Sequence, residues 1–263
     1  MPLVGNMLWR IGRLLDIERQ MVWSQRAGFD GVGLHAAPGT PGKWRGIEPS
    51  ACSPEERARL RGKLAEFAFV EIHSPFAIDL RTESLAAGVT ALAPVLDFAH
   101  DLGARVVTVH AQSPEPASWL PAMQEVNARA AAAQTIVALE TISGFEAVAA
   151  WDLPHVGVNL DVGHMVLPCY KHPLTRYGSF DRLIRLIGPR LVHLHLHDVS
   201  GETDHIEIGT GEVAFDAIVG GLADIGYAGT ATLEMNPDRV SPDGIRRSLR
   251  AIRERFAAGR PVP

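Results

Sequence analysis

Cysteine is scarce in this chain: Cys52 and Cys169 are the only two in 263 residues. So sparse a pair builds no disulfide framework, and a reducing cytoplasmic setting is expected. Long apolar runs are also lacking. None approaches the about 20 residues a helix needs to cross a bilayer, so no membrane span is expected. The opening MPLVGNMLWRIGRLL has no unbroken apolar stretch followed by a small-residue cleavage site, so no signal peptide is expected. A large excess of one charge sign is missing too, with 25 Lys and Arg against 30 Asp and Glu. No basic stripe stands out, which speaks against a nucleic-acid partner. Low-complexity segments and composition breaks are absent, so residues 1–263 are expected to form one domain. What the chain does have is histidine, eleven in all.

The histidines concentrate in one stretch, LVHLHLHDVSGETDHIEIGTG at 191–211. Its first seven residues alternate strictly, the period-2 pattern of a β-strand. His193, His195 and His197 therefore share one strand face, and Asp204 and His205 follow in the next loop. Imidazole is a common ligand for zinc and similar metals. A buried histidine that binds nothing needs a hydrogen-bond partner instead, and four histidines with an aspartate strain that account.

Strands and helices alternate along the rest of the chain. Strands are expected at Leu3–Leu8, Gly31–His35, Phe69–His73, Arg105–His110, Thr135–Glu140, Val156–Asp161, Leu191–His197 and Gly229–Glu234. Helical spacing fills Ile11–Ala27, a segment capped by Ser53, Ser84–Leu102, Ala117–Gln134, Phe145–Ala150, Leu174–Ile187, Phe215–Ile225 and Asp243–Ala257. A Pro- and Gly-rich loop at 36–49 is long enough to contact a substrate, and GRPVP at 259–263 reads as a loose tail. Eight strand–helix units in about 260 residues match the size of a (β/α)₈ TIM barrel. A doubly wound open sheet is the competitor, but it gathers ligands at one switch point.

The polar residues favour the barrel. His73, His110, Glu140, Asp161, His195 and Glu234 fall at or near the C-terminal ends of the third to eighth strands, with His164 and His205 in the loops beyond. Barrel active sites form at that rim. Three carboxylates and an imidazole make an O/N ligand set suited to Mn²⁺, Zn²⁺, Co²⁺ or Fe²⁺. Such an ion polarises a carbonyl or hydroxyl, or lowers the pKa of a bound water. Glu140 and Glu234 come from nearly opposite strands, so a carbon held between them can lose a proton to one and regain it from the other.

At these residues the sequence resembles the xylose isomerase-like barrel superfamily. That group holds tagatose 3-epimerase-type isomerases, hydroxypyruvate isomerases, inosose dehydratases and the endonuclease IV branch of DNA repair. The resemblance spans residues 69–236. It rests on NLDVGH (159–164), HLHD (195–198), H-x-x-x-G-x-G (205–211), and LE (233–234) after G-Y-x-G (226–229). Similarity to the epimerase branch implies that Glu140, Asp161, His195 and Glu234 bind one divalent metal. It also implies that Glu140 and Glu234 transfer protons and that His164 holds a substrate hydroxyl. The endonuclease branch carries a three-metal cluster, whose extra ligands match His73, His110, His164 and His205. Here the chain departs from it: Thr203 stands where that branch has Asp, and ETISGFEAV and DVGH replace its Gly-rich and DTCH segments.

The resemblance therefore implies a metal-dependent isomerase or epimerase of a small keto-sugar or related polyhydroxy carbonyl compound. The alternatives are a phosphodiesterase acting on abasic DNA, an inosose dehydratase-type lyase, and a binding module that keeps the metal without turnover. The substrate, the metal count and the oligomeric state, a homo-oligomer included, stay open. Glu71 and Thr108 point inward below His73 and His110 and read as polar barrel filling, and His193 as a residue of the barrel's packed layers. His197 and Asp198 read as partners that orient a ligand or as the start of the loop. Trp9 stands at the rim, where stacking on a sugar ring and plain packing are equally open.

Overall fold

The computed structural model describes residues 1–259; the final four, and with them most of the expected tail, lie outside the described residues. Among those described, eight parallel strands close into a barrel: β1 (Leu3–Met7), β2 (Gly31–His35), β3 (Phe69–His73), β4 (Val106–Ala111), β5 (Ile136–Glu140), β6 (Val156–Asp161), β7 (Leu191–Leu196) and β8 (Thr230–Leu233). Each strand pairs with its sequence neighbour, and β8 returns to pair with β1. Eight helices alternate with them: α1 (Ile17–Ala27), α2 (Pro54–Leu64), α3 (Leu85–Leu102), α4 (Pro116–Ala132), α5 (Phe145–Ala150), α6 (Phe180–Ile187), α7 (Phe215–Asp224) and α8 (Pro242–Ala258). The expected TIM barrel is the observed fold, and the open sheet is not.

Two helix starts differ from the sequence reading. The apolar spacing from Ile11 suggests a helix there, but Ile11 and Leu14 bond to each other across a tight turn. The helix begins only after Asp16, whose side chain accepts the Arg19 N–H. Likewise Leu174 sits in a single 3₁₀ turn, Gly178 takes a left-handed φ of 85°, and α6 starts at Phe180. The 36–49 loop carries a small hairpin, Gly39–Thr40 against Trp44–Arg45.

The expectation of no membrane-length apolar helix is not met. The segment Thr82–Leu102 is long and apolar enough, by length and composition, to cross a membrane. It contains α3, whose Leu85, Val89, Leu92, Val95, Leu96, Phe98, Ala99 and Leu102 are buried in the protein. Packing on the barrel accounts for its apolar content.

The barrel interior is layered. At the bottom, the Phe69 ring fills the space left open by Gly5 and Gly31, where an added Cβ would lie 2.7 and 2.3 Å from it. The next layer is polar: Glu71, Thr108, His193, Thr230 and Thr232 are all buried. Buried polar groups need partners, and these find one another. Thr108 Oγ1 donates to Glu71 Oε1 at 2.6 Å, and His193 lies 2.7 Å from Thr230 Oγ1 and 3.1 Å from Thr232 Oγ1. Above this layer the strands end in the rim residues.

Candidate active site

Register brings the rim together. His195 on β7 is level with Asp161 on β6 and Thr232 on β8, and His110 on β4 is level with Glu140 on β5. Glu234 follows β8, its backbone N–H bonded to the Leu196 carbonyl. The result is a tight cluster around one ring nitrogen. His195 Nδ1 lies 2.9 Å from Glu234 Oε2 and 3.2 Å from Glu140 Oε2. Asp161, His195 and Glu234 offer donor atoms all within 4.8 Å of one another, as do His73, Glu140 and His195.

The remaining expected residues surround this cluster. His164 Nδ1 lies 3.3 Å from Glu140 Oε1 and 3.4 Å from Asp161 Oδ2. His73 Nε2 is 3.6 Å and His110 Nε2 is 3.7 Å from Glu140. His205 Nε2 is 3.6 Å from Glu234 Oε2, and its Nδ1 is 3.2 Å from Asp204 Oδ2. Asp204 is also paired with Arg239. All eight residues expected from the sequence thus converge on one mouth.

Electrostatics keep the acids ionised. Burial alone would push Glu140 and Glu234 toward their neutral forms, but His195 and the other imidazoles in contact hold both well below the usual carboxylate range. Asp161 is lowered in the same way by His164 and His197. His164 and His205 respond in kind. Against the opposing effect of burial, Asp161 and Glu140 lift His164 to about 9, and Asp204 and Glu234 lift His205 to about 10. A buried nest of carboxylates attracts positive charge.

That charge fits a metal ion. His195 Nε2 lies 2.7 Å from Glu71 Oε1, and an ionised carboxylate only accepts, so the proton sits on Nε2. Against the effect of burial, Glu234, Glu71 and Glu140 hold the metal-free ring well above its usual pKa, so Nδ1 then carries a proton; in the neutral ring it carries a lone pair that faces two glutamates. A lone pair aimed at carboxylates is stable only with a proton or a cation between them. The donor set of three carboxylates and one imidazole suits the O/N-binding divalent ions.

The sequence reading assigns no role to Asn159, Trp44, Phe76 or Tyr170, all of which contribute here. Asn159 Nδ2 donates to Glu140 Oε2 at 3.3 Å, and the two-residue period from Asp161 places it on the same strand face. Asp198, read only as a possible orienting partner or loop start, is buried and accepts the backbone N–H groups of Val199, Gly209, Gly211 and Val213 at 2.9–3.0 Å. It shapes the loop that carries His205. Gly211 is required there, since a Cβ would lie 2.1 Å from the Val199 carbonyl oxygen. Aromatic rings wall the other side: Trp9 packs 5.3 Å from His35, Trp44 5.1 Å from His35, and Phe76 5.3 Å from His73. A cleft of about 550 Å³ opens beside the cluster, lined by His110, Glu140, His164 and Tyr170 and reaching out to Lys171 and Arg176.

Solved structures share the fold, epimerases among them. A D-tagatose 3-epimerase-like protein has a TM-score of 0.70 at 19% identity, over 98% of both chains. D-psicose 3-epimerase from Clostridium cellulolyticum H10, solved with D-tagatose, has a TM-score of 0.70 at 16% identity, over 97% of this chain and 98% of that one. 3-Keto-D-glucoside 4-epimerase from E. coli has a TM-score of 0.68 at 16% identity, over 97% of this chain and 100% of that one. An uncharacterized protein of Methanocaldococcus jannaschii is 30% identical over 84 residues, 32% of this chain and 27% of that relative's length. The family model described as xylose isomerase-like TIM barrel matches residues 22–255, nearly the whole barrel, and the chain belongs to that family.

Proposed function

We propose that the chain is a divalent-metal-dependent isomerase or epimerase of a small keto-sugar or related polyhydroxy carbonyl compound. The observation that carries this reading is the convergence of Glu140 and Glu234, from β5 and β8, on the same edge of the His195 ring. Two carboxylates facing one point from different strands are placed to work on opposite faces of one carbon. The neighbouring epimerase structures, similar in fold, support the same direction.

Glu140, Asp161, His195 and Glu234 would hold the ion, with Mn²⁺, Zn²⁺, Co²⁺ and Fe²⁺ all compatible with the donors. When bound, it would supply Lewis-acid stabilisation of negative charge on substrate oxygens. The protein's own residues do the rest. One glutamate, held ionised by its imidazole neighbours, takes the proton next to the substrate carbonyl. The other returns a proton to the resulting enediolate. His164, at the cleft edge, holds a substrate hydroxyl. The cleft of about 550 Å³ suits a small molecule. The protein incubated with keto-sugars in heavy water should place deuterium next to the carbonyl. Turnover of no keto-sugar, with no exchange, would overturn the reading. An inosose dehydratase-type lyase shares the first proton abstraction and would show loss of water after exchange.

A second reading, metal-dependent phosphodiester hydrolysis on abasic DNA, is favoured by one observation. His73, His110, His164 and His205 all stand within 3.3–3.7 Å of the carboxylates, enough imidazoles for further ions. Metal content separates the two. About one ion per chain supports the isomerase reading; two or three zinc ions per chain, with cleavage of an abasic duplex, support the hydrolase.

A further inference from the structure

The polar layer beneath the site contains one carboxylate that the chemistry above leaves unused. Glu71 sits on β3 with no solvent exposure, a whole layer below the cleft. It touches no substrate space. Its Oε1 accepts two hydrogen bonds, from Thr108 Oγ1 at 2.6 Å and from His195 Nε2–H at 2.7 Å. On its other side His193 Nε2 lies 3.0 Å from Oε2. Burying an ionised carboxylate is costly unless it is paired, and barrel interiors are ordinarily filled with branched apolar side chains. A charge here needs a reason other than filling.

The His195 ring supplies it. An imidazole has two nitrogens, and the partner of one decides what the other does. Glu71 can only accept, so it fixes the proton on Nε2 and turns the Nδ1 lone pair toward Glu140, Asp161 and Glu234. Without Glu71 the ring is free to flip or to carry its proton on Nδ1, which blocks the ligand atom. Thr108 and His193 in turn keep the Glu71 carboxylate in place.

We propose that Glu71 is a positioning residue for the metal centre, holding His195 in the one tautomer and orientation that present Nδ1 as a ligand. This rests on the metal reading of the site above and adds a residue from the opposite wall of the barrel to it. Outer partners of this kind set ligand orientation and basicity, and their loss lowers metal affinity about 10- to 100-fold.

The test is a Co²⁺ titration of chelator-stripped protein, followed by visible d–d absorption and by competition with a chromophoric chelator. Glu71→Gln keeps the size of the side chain and removes its charge. The expected result is a folded protein, by circular dichroism and thermal unfolding without metal, that binds Co²⁺ about 10- to 100-fold more weakly and with shifted d–d bands. Wild-type affinity with unshifted bands overturns the proposal. Glu140→Gln, run in parallel, separates the two ways to fail. If Glu140→Gln loses the ion and Glu71→Gln does not, only the positioning role falls. If the wild type takes up no Co²⁺, or Glu140→Gln binds it unchanged, the metal reading falls and the proposal with it. Should Glu71→Gln fail to fold, histidine ¹⁵N NMR of the wild-type zinc form decides. His195 is expected to carry a slowly exchanging, downfield proton on Nε2, and an unprotonated Nε2 overturns the proposal.

Discussion

His197 holds Asp161 through its Nε2, which lies 3.0 Å from Oδ1, while its Nδ1 accepts the His205 backbone N–H at 2.9 Å. One ring therefore ties a candidate ligand on β6 to the loop that carries another candidate. The ring lies directly over Gly163, where a Cβ would sit 2.0 Å from its Cε1. The φ of Gly163 lies outside the left-handed region, so the constraint on that position is steric.

Gly163→Ala should therefore push the His197 ring off Asp161. Overpacking of this kind costs about 1–3 kcal/mol, measurable by urea unfolding. Because the displaced ring also releases Asp161, metal affinity should fall together with stability. A variant with wild-type stability would show that the ring has room to move.

Glu140→Gln and Glu234→Gln should each leave the fold intact and remove turnover. Loss of a general acid or base lowers rates about 10²- to 10⁴-fold. The two variants are distinguishable by exchange. With enough metal to saturate the weakened site, the variant that keeps the proton-abstracting glutamate should still wash substrate deuterium into water while forming no epimer. Substantial turnover by Glu140→Gln, read as product formed per enzyme, would rule out the paired-carboxylate mechanism.

The rim was legible because two simple periods govern it. Strand alternation says which residues face inward, and the strand–helix alternation says that the strand ends meet at one mouth. His73, His110, Glu140, Asp161, His195 and Glu234 follow from those two facts. What periodicity leaves out is which inward side chains meet across the barrel. Glu71 and His195 are 124 positions apart on β3 and β7, and nothing local links them, so Glu71 reads as filling. Trp44 and Phe76 lie in loops, whose course no period encodes. The start of α1 is not legible for the reverse reason: Ile11 and Leu14 imitate helical spacing, and the Asp16 cap overrides it.

Asp198 should prove a structural residue of the site and not a ligand. Its carboxylate accepts four backbone N–H groups between Val199 and Val213. Asp198→Ala leaves them without that acceptor, at about 1–3 kcal/mol for each that water does not reach. Hydrogen exchange should rise across 199–213, and Asp198→Asn, which keeps one side-chain oxygen, should fall between the two. Unchanged protection in that loop would show that the N–H groups find other acceptors.

His35 should make the protein acid-sensitive. Burial, and then the charge of His73, lower its pKa from 6.5 to about 3. The folded state therefore keeps His35 neutral where the unfolded chain protonates it. Stability is lost as pH falls from 6.5 toward 3, at up to about 1.4 kcal/mol per pH unit. His205 has the opposite sign. Its pKa is raised to about 10, so in the metal-free protein its contribution is full below pH 6.5 and lost as pH rises through 10. The two effects fall in different windows and can be separated. His35→Phe keeps a ring among Trp9, Trp44 and Phe76 but does not titrate. Between about pH 7.5 and about pH 4.5, urea unfolding of metal-free protein should show the wild type losing about 2.7 kcal/mol more than this variant. Parallel losses would mean that His35 titrates alike in the folded and unfolded states.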